Sequence, residues 1–217
     1  MLAVTGGKGG CGKTTTALAL ARALANSGAD PLVVDADTDC PDAHLLAAVD
    51  REPTWDALDD ETVLDCLPQR APALGGAAVL PAGSADGLAD ALVTVRRWHG
   101  PVLVDCPAGA GPGATVPLRA ADGTVLATVA DPESLTDTAK SARVARRLGA
   151  PPVAAVVRAD RVQPTLPFEA PVVERVPRVD IEPTATRAVA VVLSHPGVTG
   201  AYQGVATTIG RQRELSW

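Results

Sequence analysis

The sequence predicts an α/β protein, a single doubly wound and mostly parallel sheet flanked by helices, in one domain over residues 1–217. Three observations carry that expectation. Short apolar runs recur at Leu2-Ala3-Val4, Pro31-Leu32-Val33-Val34 and Pro101-Val102-Leu103-Val104, each the length of a buried strand and each closed by glycine or aspartate. An alanine-rich, helix-forming stretch follows the first of them. A 47% hydrophobic content over 217 residues suffices for one well-buried core, and no linker or repeat divides the chain.

The first run leads into Gly6-Gly7-Lys8-Gly9-Gly10-Cys11-Gly12-Lys13-Thr14-Thr15, which contains the phosphate-loop pattern G-x-x-x-x-G-K-[ST] from Gly7 to Thr14. By average residue usage this pattern would arise by chance in such a chain with a probability on the order of 1%, before strand and helix context is required. Gly7, Gly9, Gly10, Cys11 and Gly12 can turn successive backbone N–H groups toward phosphates, and Lys13 adds a point charge at the β/γ oxygens. Thr14 offers a hydroxyl to Mg²⁺, and Thr15 continues the cradle into a helix that runs to Ala25 and stops near Gly28. The expected ligand is a nucleoside triphosphate with Mg²⁺.

The second run ends in Asp35-Ala36-Asp37-Thr38-Asp39-Cys40-Pro41-Asp42, placing carboxylates at the C-terminal end of a strand, the edge where open α/β sheets bind ligands. Asp39 and His44 read as solvated or capping residues. Residues 50–76 read as an irregular or helical insertion, with Trp55, Leu58, Leu64 and Leu67 packing it down. The third run ends in Asp105-Cys106-Pro107-Ala108-Gly109, and Gly109, Gly111 and Gly113 give that loop freedom to rearrange.

Another strand is expected over Gly123–Ala130, and Asp131-Pro132-Glu133-Ser134 opens a helix, with Pro132 pre-setting φ and Ser134 as the expected cap. Val153–Val157 forms the next strand and delivers Arg158, which either stacks on a purine or is solvated. Pro164–Pro167 reads as a surface loop, Val172–Pro177 as a last strand, Pro183–Ala190 as a loop over the nucleotide and a short helix, and Thr199–Arg211 as a closing helix.

The phosphate loop with its early lysine, the Asp35-x-Asp37 pair, Asp105-x-Pro107-Ala108-Gly109 and Pro132-Glu133 with Ser134 and Asp137 together resemble the MinD/ParA class of ATPases, which includes the nitrogenase iron protein and the Mrp-type cluster carriers. The resemblance spans Met1 to about Arg211. It implies a phosphate-loop NTPase fold of the MinD/ParA type, ATP and Mg²⁺ as cofactors, and a homodimer that forms around two ATP molecules. Such a protein is a positional or regulatory switch acting on a protein partner. It also implies roles: Lys8 reaches across the dimer to the partner's nucleotide, Lys13 binds phosphate, and Asp37 orients the attacking water. Asp35 lies near the metal, and Asp105 with Thr14 serves magnesium and its water shell. Two positions depart from the class. Asp42 stands where Asn is common, and Arg158-Ala159-Asp160 where an Asn reads the base. Adenine is the expected base, since the Asn and Lys of the guanine reader are both absent.

Composition bounds the partners. A formal charge of −6, with 18 Asp to 7 Glu and 16 Arg to 3 Lys, disfavours nonspecific DNA binding, and Arg143, Arg146 and Arg147 on one helix read as a solvated face. With no signal peptide and no 18-residue apolar span, a cytoplasmic protein is expected. The terminal Ile209–Trp217, with two arginines and a single Trp, makes at most a peripheral membrane anchor. Cys11, Cys40, Cys66 and Cys106 contain no Cys-x-x-Cys pair, which argues against an Fe–S carrier. Two further readings stay open: a nucleotide-gated adaptor with little hydrolysis, and a synthetase related to the cobyrinate and dethiobiotin enzymes, which generally lack the early lysine.

Overall fold

The computed structural model describes residues 1–58, 64–109, 112–160, 164–179 and 188–214; Gly111, the Pro183–Arg187 loop and the terminal Trp217 lie outside them. Its strands are β1 (Leu2–Thr5), β2 (Leu32–Asp35), β3 (Gln69–Ala71), β4 (Ala77–Leu80), β5 (Val102–Asp105), β6 (Gly123–Val129), β7 (Pro152–Arg158) and β8 (Val173–Val176). They form one sheet in the order β3-β4-β2-β5-β1-β6-β7-β8, parallel throughout except for the antiparallel β3–β4 edge. The expected mostly parallel, doubly wound sheet is what forms.

The reason lies in the strand sequences. β1, β2, β4 and β5 are four-residue, mostly apolar strands buried along their whole length, which only a sheet covered by helices on each side can accommodate. One face is covered by α1 (Lys13–Asn26), α2 (Ala43–Ala47), α6 (Ala188–Ser194) and α7 (Pro196–Glu214), which pack on Leu2, Val4, Val33, Leu103 and Val156. The other face is covered by α3 (Leu88–Val95), α4 (Pro112–Ala120) and α5 (Pro132–Arg147), through Leu92, Leu118 and Ala145 among others. Alternate residues of β2 illustrate the split: Val33 enters the first layer, Leu32 and Val34 the second.

α1 ends where Gly28 takes φ +88° and its N–H reaches the Ala25 carbonyl. The insertion over residues 50–76 contains short 3₁₀ turns at Trp55–Ala57, Leu64–Cys66 and Pro72–Leu74 and the edge strand β3. Trp55 is 2% exposed and Leu58, Leu64 and Leu67 pack with it, as the sequence reading expected. The strand β4 and helix α3 that follow were not anticipated; β4 is a short Ala/Val run without flanking chemistry to mark it. The cap of α5 is corrected: Asp131, not Ser134, occupies the N-cap, its Oδ1 accepting the Ser134 N–H at 2.9 Å.

Because all strands but β3 are parallel, the carboxyl ends of β1, β2, β5 and β7 share one edge, delivering the phosphate loop, Asp35, Asp105 and Arg158 together. β1 sits at the centre, and the chain moves from β1 to β2 on one side of it and from β5 to β6 on the other. That reversal opens the crevice in which such sheets hold ligands.

Candidate functional site

The phosphate loop is braced at its start and open further on. A Cβ on Gly6 would lie 2.3 Å from the Ala127 carbonyl oxygen, and one on Gly7 would lie 2.3 Å from the Asp137 backbone, so both positions exclude a side chain by contact. Gly9, Gly10 and Gly12 would meet nothing within 4 Å, and Gly10 and Gly12 occupy the left-handed region at φ +74° and +96°. This exposed arc of amides ends at the first helical hydrogen bond, from the Thr16 N–H to the Gly12 carbonyl at 2.8 Å. The arc therefore faces the N-terminus of α1, where backbone donors and the helix dipole both favour an anion.

Lys13, the first residue of α1, is 7% exposed and forms no ion pair among the described residues. A buried cation with no contact ion pair is costly unless an anion comes to it. Asp105, at the end of β5, presents the complementary problem. It is 1% exposed, and neither carboxylate oxygen receives a hydrogen bond of good geometry among the described residues, although the Thr14 hydroxyl lies close to it. Burial pushes its carboxyl well above the usual carboxylate range; the Thr14 hydroxyl opposes that rise, Asp35 adds to it, and Lys13 opposes it again. The residue set thus fits a phosphate chain beside Lys13 and a hard divalent cation with its waters near Thr14 and Asp105.

Asp35 faces Asp105 across β2 and β5 but is differently used. Its two oxygens accept the backbone N–H of Asp37 at 3.2 Å and of Ala43 at 3.1 Å, so it folds the loop between β2 and α2. Burial raises its carboxyl to about 6, and those two N–H groups hold the rise in check. Asp37 is half-buried at the loop's start, and its Oδ1 accepts the Cys40 N–H at 3.1 Å. Asp42 is the N-cap of α2 by position, without a side-chain capping bond. His44, read as a solvated or capping residue, is 8% exposed, and burial lowers its pKa from the ordinary value.

Lys8 projects into solvent beside the arc, its side chain 46% exposed, and its Nζ meets Glu133 Oε2 at 2.5 Å in the first turn of α5. The Glu133 hydrogen bond and charge raise its pKa. Arg158, at the end of β7, donates from Nη2 to the Gly10 carbonyl at 3.4 Å. It lines a cleft that also holds Cys11, Thr15, Thr16, Val176 and Tyr202. The apolar floor and the Thr15 position beside the loop suit a nucleoside. Tyr202 is a contributor that sequence reasoning missed: its hydroxyl lies 3.0 Å from Thr16 Oγ1, and burial pushes its phenol up to about 12. A lone Tyr on the closing helix carries no spacing signal; only the packing of α7 on α1 brings it to the cleft.

Cys11 is buried in the loop and Cys106 fully buried after Asp105, while Cys40 and Cys66 are exposed; all four are free thiols. Burial raises the Cys106 thiol. Arg143, Arg146 and Arg147 are exposed on α5. Among the described residues no group of three or more His, Cys, Asp or Glu is placed to hold a metal, and no helix is long and apolar enough to cross a membrane.

Comparison with known proteins follows the same line. The family model of the CobQ/CobB/MinD/ParA nucleotide-binding domain matches residues 2–199. An ATP-binding protein of Methanocaldococcus jannaschii is 29% identical over 167 residues, covering 72% of this chain and 62% of that protein. The septum site-determining protein MinD of Synechocystis is 27% identical over 148 residues, covering 63% of this chain and 56% of its own length. The chain thus matches little more than half the length of these relatives. In fold it is similar to a septum site-determining protein MinD from Pyrococcus horikoshii, solved with Mg-ADP, at TM-score 0.82 and 21% identity over 100% of this chain and 98% of that one.

Proposed function

Since the chain belongs to the CobQ/CobB/MinD/ParA nucleotide-binding family, we propose that it is a Mg²⁺-dependent ATPase that dimerises around ATP and uses the assembled state as a positional or regulatory switch on a protein partner. The observation that carries the reading is Lys13, buried and in no ion pair among the described residues, near Asp105, whose buried carboxylate oxygens make no hydrogen bond of good geometry there. One requires an anion, the other a hydrated cation, and Mg-nucleotide supplies both.

In this reading the amides of Gly9, Gly10, Cys11 and Gly12, with Lys13 and Thr15, bind the phosphates, and Arg158 and the apolar cleft take the base, read as adenine. Thr14 and Asp105 would hold Mg²⁺ and its waters, with Asp35 fixing the loop that carries Asp37. A Mg²⁺ held there would supply charge neutralisation for the phosphoryl group. Asp37 aligns water: one oxygen is occupied by the Cys40 N–H and the other makes no hydrogen bond among the described residues. Lys8, free to leave Glu133, completes the partner protomer's site in the manner of an arginine finger.

A second reading, a nucleotide-gated adaptor with negligible turnover, draws on Asp42, where an anion replaces a neutral donor in the loop that would sense the partner. Light scattering with ATP and Mg²⁺ on wild type, Lys8→Ala and Asp37→Ala tests the primary reading. Dimers that persist in Asp37→Ala and change in Lys8→Ala support the switch ATPase; a monomer under every nucleotide condition overturns it.

A further inference from the structure

Helix α5 carries Ser134, Thr138 and Ser141 at i, i+4 and i+7, so the three hydroxyls share one helix face. That face is turned to the start of the phosphate loop and is at most 2% exposed. The Gly7 N–H donates to Thr138 Oγ1 at 3.3 Å, and Ser141 Oγ donates to the Gly6 carbonyl at 3.3 Å. Thr138 passes its own proton to the Ser134 carbonyl at 2.7 Å and lies 3.1 Å from the Thr128 hydroxyl of β6. Thr128 in turn lies 3.1 Å from Ser134 Oγ, which accepts the Val129 N–H at 3.4 Å. Thr128 Oγ1 also donates to the Val129 carbonyl at 3.3 Å, so every hydroxyl of this buried cluster has a hydrogen-bond partner.

Lys8 follows directly on the braced Gly7, and its ammonium reaches Glu133 in the first turn of the same helix. Beyond it Gly9 is open, with nothing within 4 Å of a Cβ. The Lys8 segment is therefore tied to α5 on its N-terminal side and at its side chain, and free on the other side. Resting on the ATPase reading above, we propose that Thr138, assisted by Ser141, is a positioning residue for Lys8: it pins the Gly7 amide so that the Lys8 arm leaves the loop in one direction while the rest of the loop remains open to nucleotide. The relay engages the Gly7 amide, which is thereby turned to Thr138 rather than to phosphate as the sequence reading expected, and leaves the amides of Gly9, Gly10, Cys11 and Gly12 untouched, so its loss acts on turnover before it acts on binding.

The test is Mg-ADP binding and steady-state Mg-ATP hydrolysis in wild type, Thr138→Val, Thr138→Ser, Lys8→Ala and the Lys8→Ala/Thr138→Val double variant. Valine matches threonine in shape and leaves the Gly7 N–H without its acceptor. The expected result is Mg-ADP affinity within about threefold of wild type, kcat down about tenfold or more with KM little changed, and recovery to within about twofold in Thr138→Ser. The double variant is no slower than Lys8→Ala, because Thr138 acts through Lys8. Unchanged kcat in Thr138→Val, affinity falling in step with kcat, or additive losses in the double variant each overturn the positioning role. A wild type that binds Mg-ATP without turning it over removes the ATPase reading and the proposal with it, whereas normal turnover in Thr138→Val removes the proposal alone. Should Thr138→Val not fold, Ser141→Ala takes its place with the same expected split between binding and kcat.

Discussion

Asp35 and Asp105 are direct register partners at the carboxyl ends of adjacent parallel strands, and both are almost fully buried, yet of the two only Asp35 receives hydrogen bonds of good geometry among the described residues. Two carboxylates of the same type in the same layer thus have opposite tasks. One organises a loop; the other keeps both oxygens clear of good hydrogen bonds among the described residues.

Asp105→Asn should stabilise the metal-free protein, because it removes a buried carboxylate that has no partner among the described residues, a burden of about 1–3 kcal/mol. The thermal midpoint without Mg²⁺ should rise by about 2–4 °C for each kcal/mol recovered. Addition of Mg²⁺ with ATP, which shifts the wild type upward, should shift this variant far less. Asp35→Asn should lower the midpoint instead, since an amide cannot accept both the Asp37 and Ala43 N–H groups as a carboxylate does. Differential scanning calorimetry with and without Mg-ATP separates the two.

Gly7→Ala and Gly9→Ala should differ sharply. The new methyl at position 7 would overlap the Asp137 backbone at 2.3 Å, whereas at position 9 it meets nothing within 4 Å. Overpacking of that kind costs about 1–3 kcal/mol or more. Gly7→Ala should therefore unfold at lower denaturant, while Gly9→Ala should match wild type in denaturation and lose nucleotide affinity through crowding of the open arc.

Lys13→Ala should abolish nucleotide binding, since it removes the buried cation, whereas Lys8→Ala should retain binding and lose turnover. Glu133→Gln should leave stability unchanged, because Lys8 and Glu133 are largely solvent-exposed and such pairs contribute little. Isothermal titration with Mg-ADP and a phosphate-release assay on the three variants distinguish these outcomes; equal losses of binding in Lys8→Ala and Lys13→Ala would refute the division of roles.

His44 contributes one part of the pH dependence of stability. Burial, with Arg51 nearby, lowers its pKa below the ordinary 6.5, and its Nδ1 has no partner among the described residues. The folded state thus holds the neutral imidazole while the unfolded chain takes up a proton around pH 6.5. Its contribution to stability is complete above that pH and is lost as pH falls from there through the lower folded-state pKa. Urea midpoints at pH 7.5 and 5.5 should converge in His44→Leu relative to wild type; an equal pH response in both would exclude the histidine as a source.

Sequence by itself settled the phosphate loop, the alternation of strands and helices and the carboxylates that close the strands. Those signals are local. A glycine-lysine-threonine spacing, a four-residue apolar run or an alanine-rich helix is dictated by backbone sterics and burial within a few residues of itself. Tertiary structure alone decided which of the two strand-end aspartates is satisfied, because the N–H groups that occupy Asp35 come from residues two and eight positions further along a folded loop. It also decided that Tyr202 meets Thr16 across 186 residues and that Thr138 reaches back 131 residues to the Gly7 amide. A hydroxyl leaves no periodic trace of its distant partner, so these contacts exist only once the parallel sheet has brought α1, α5 and α7 around the loop.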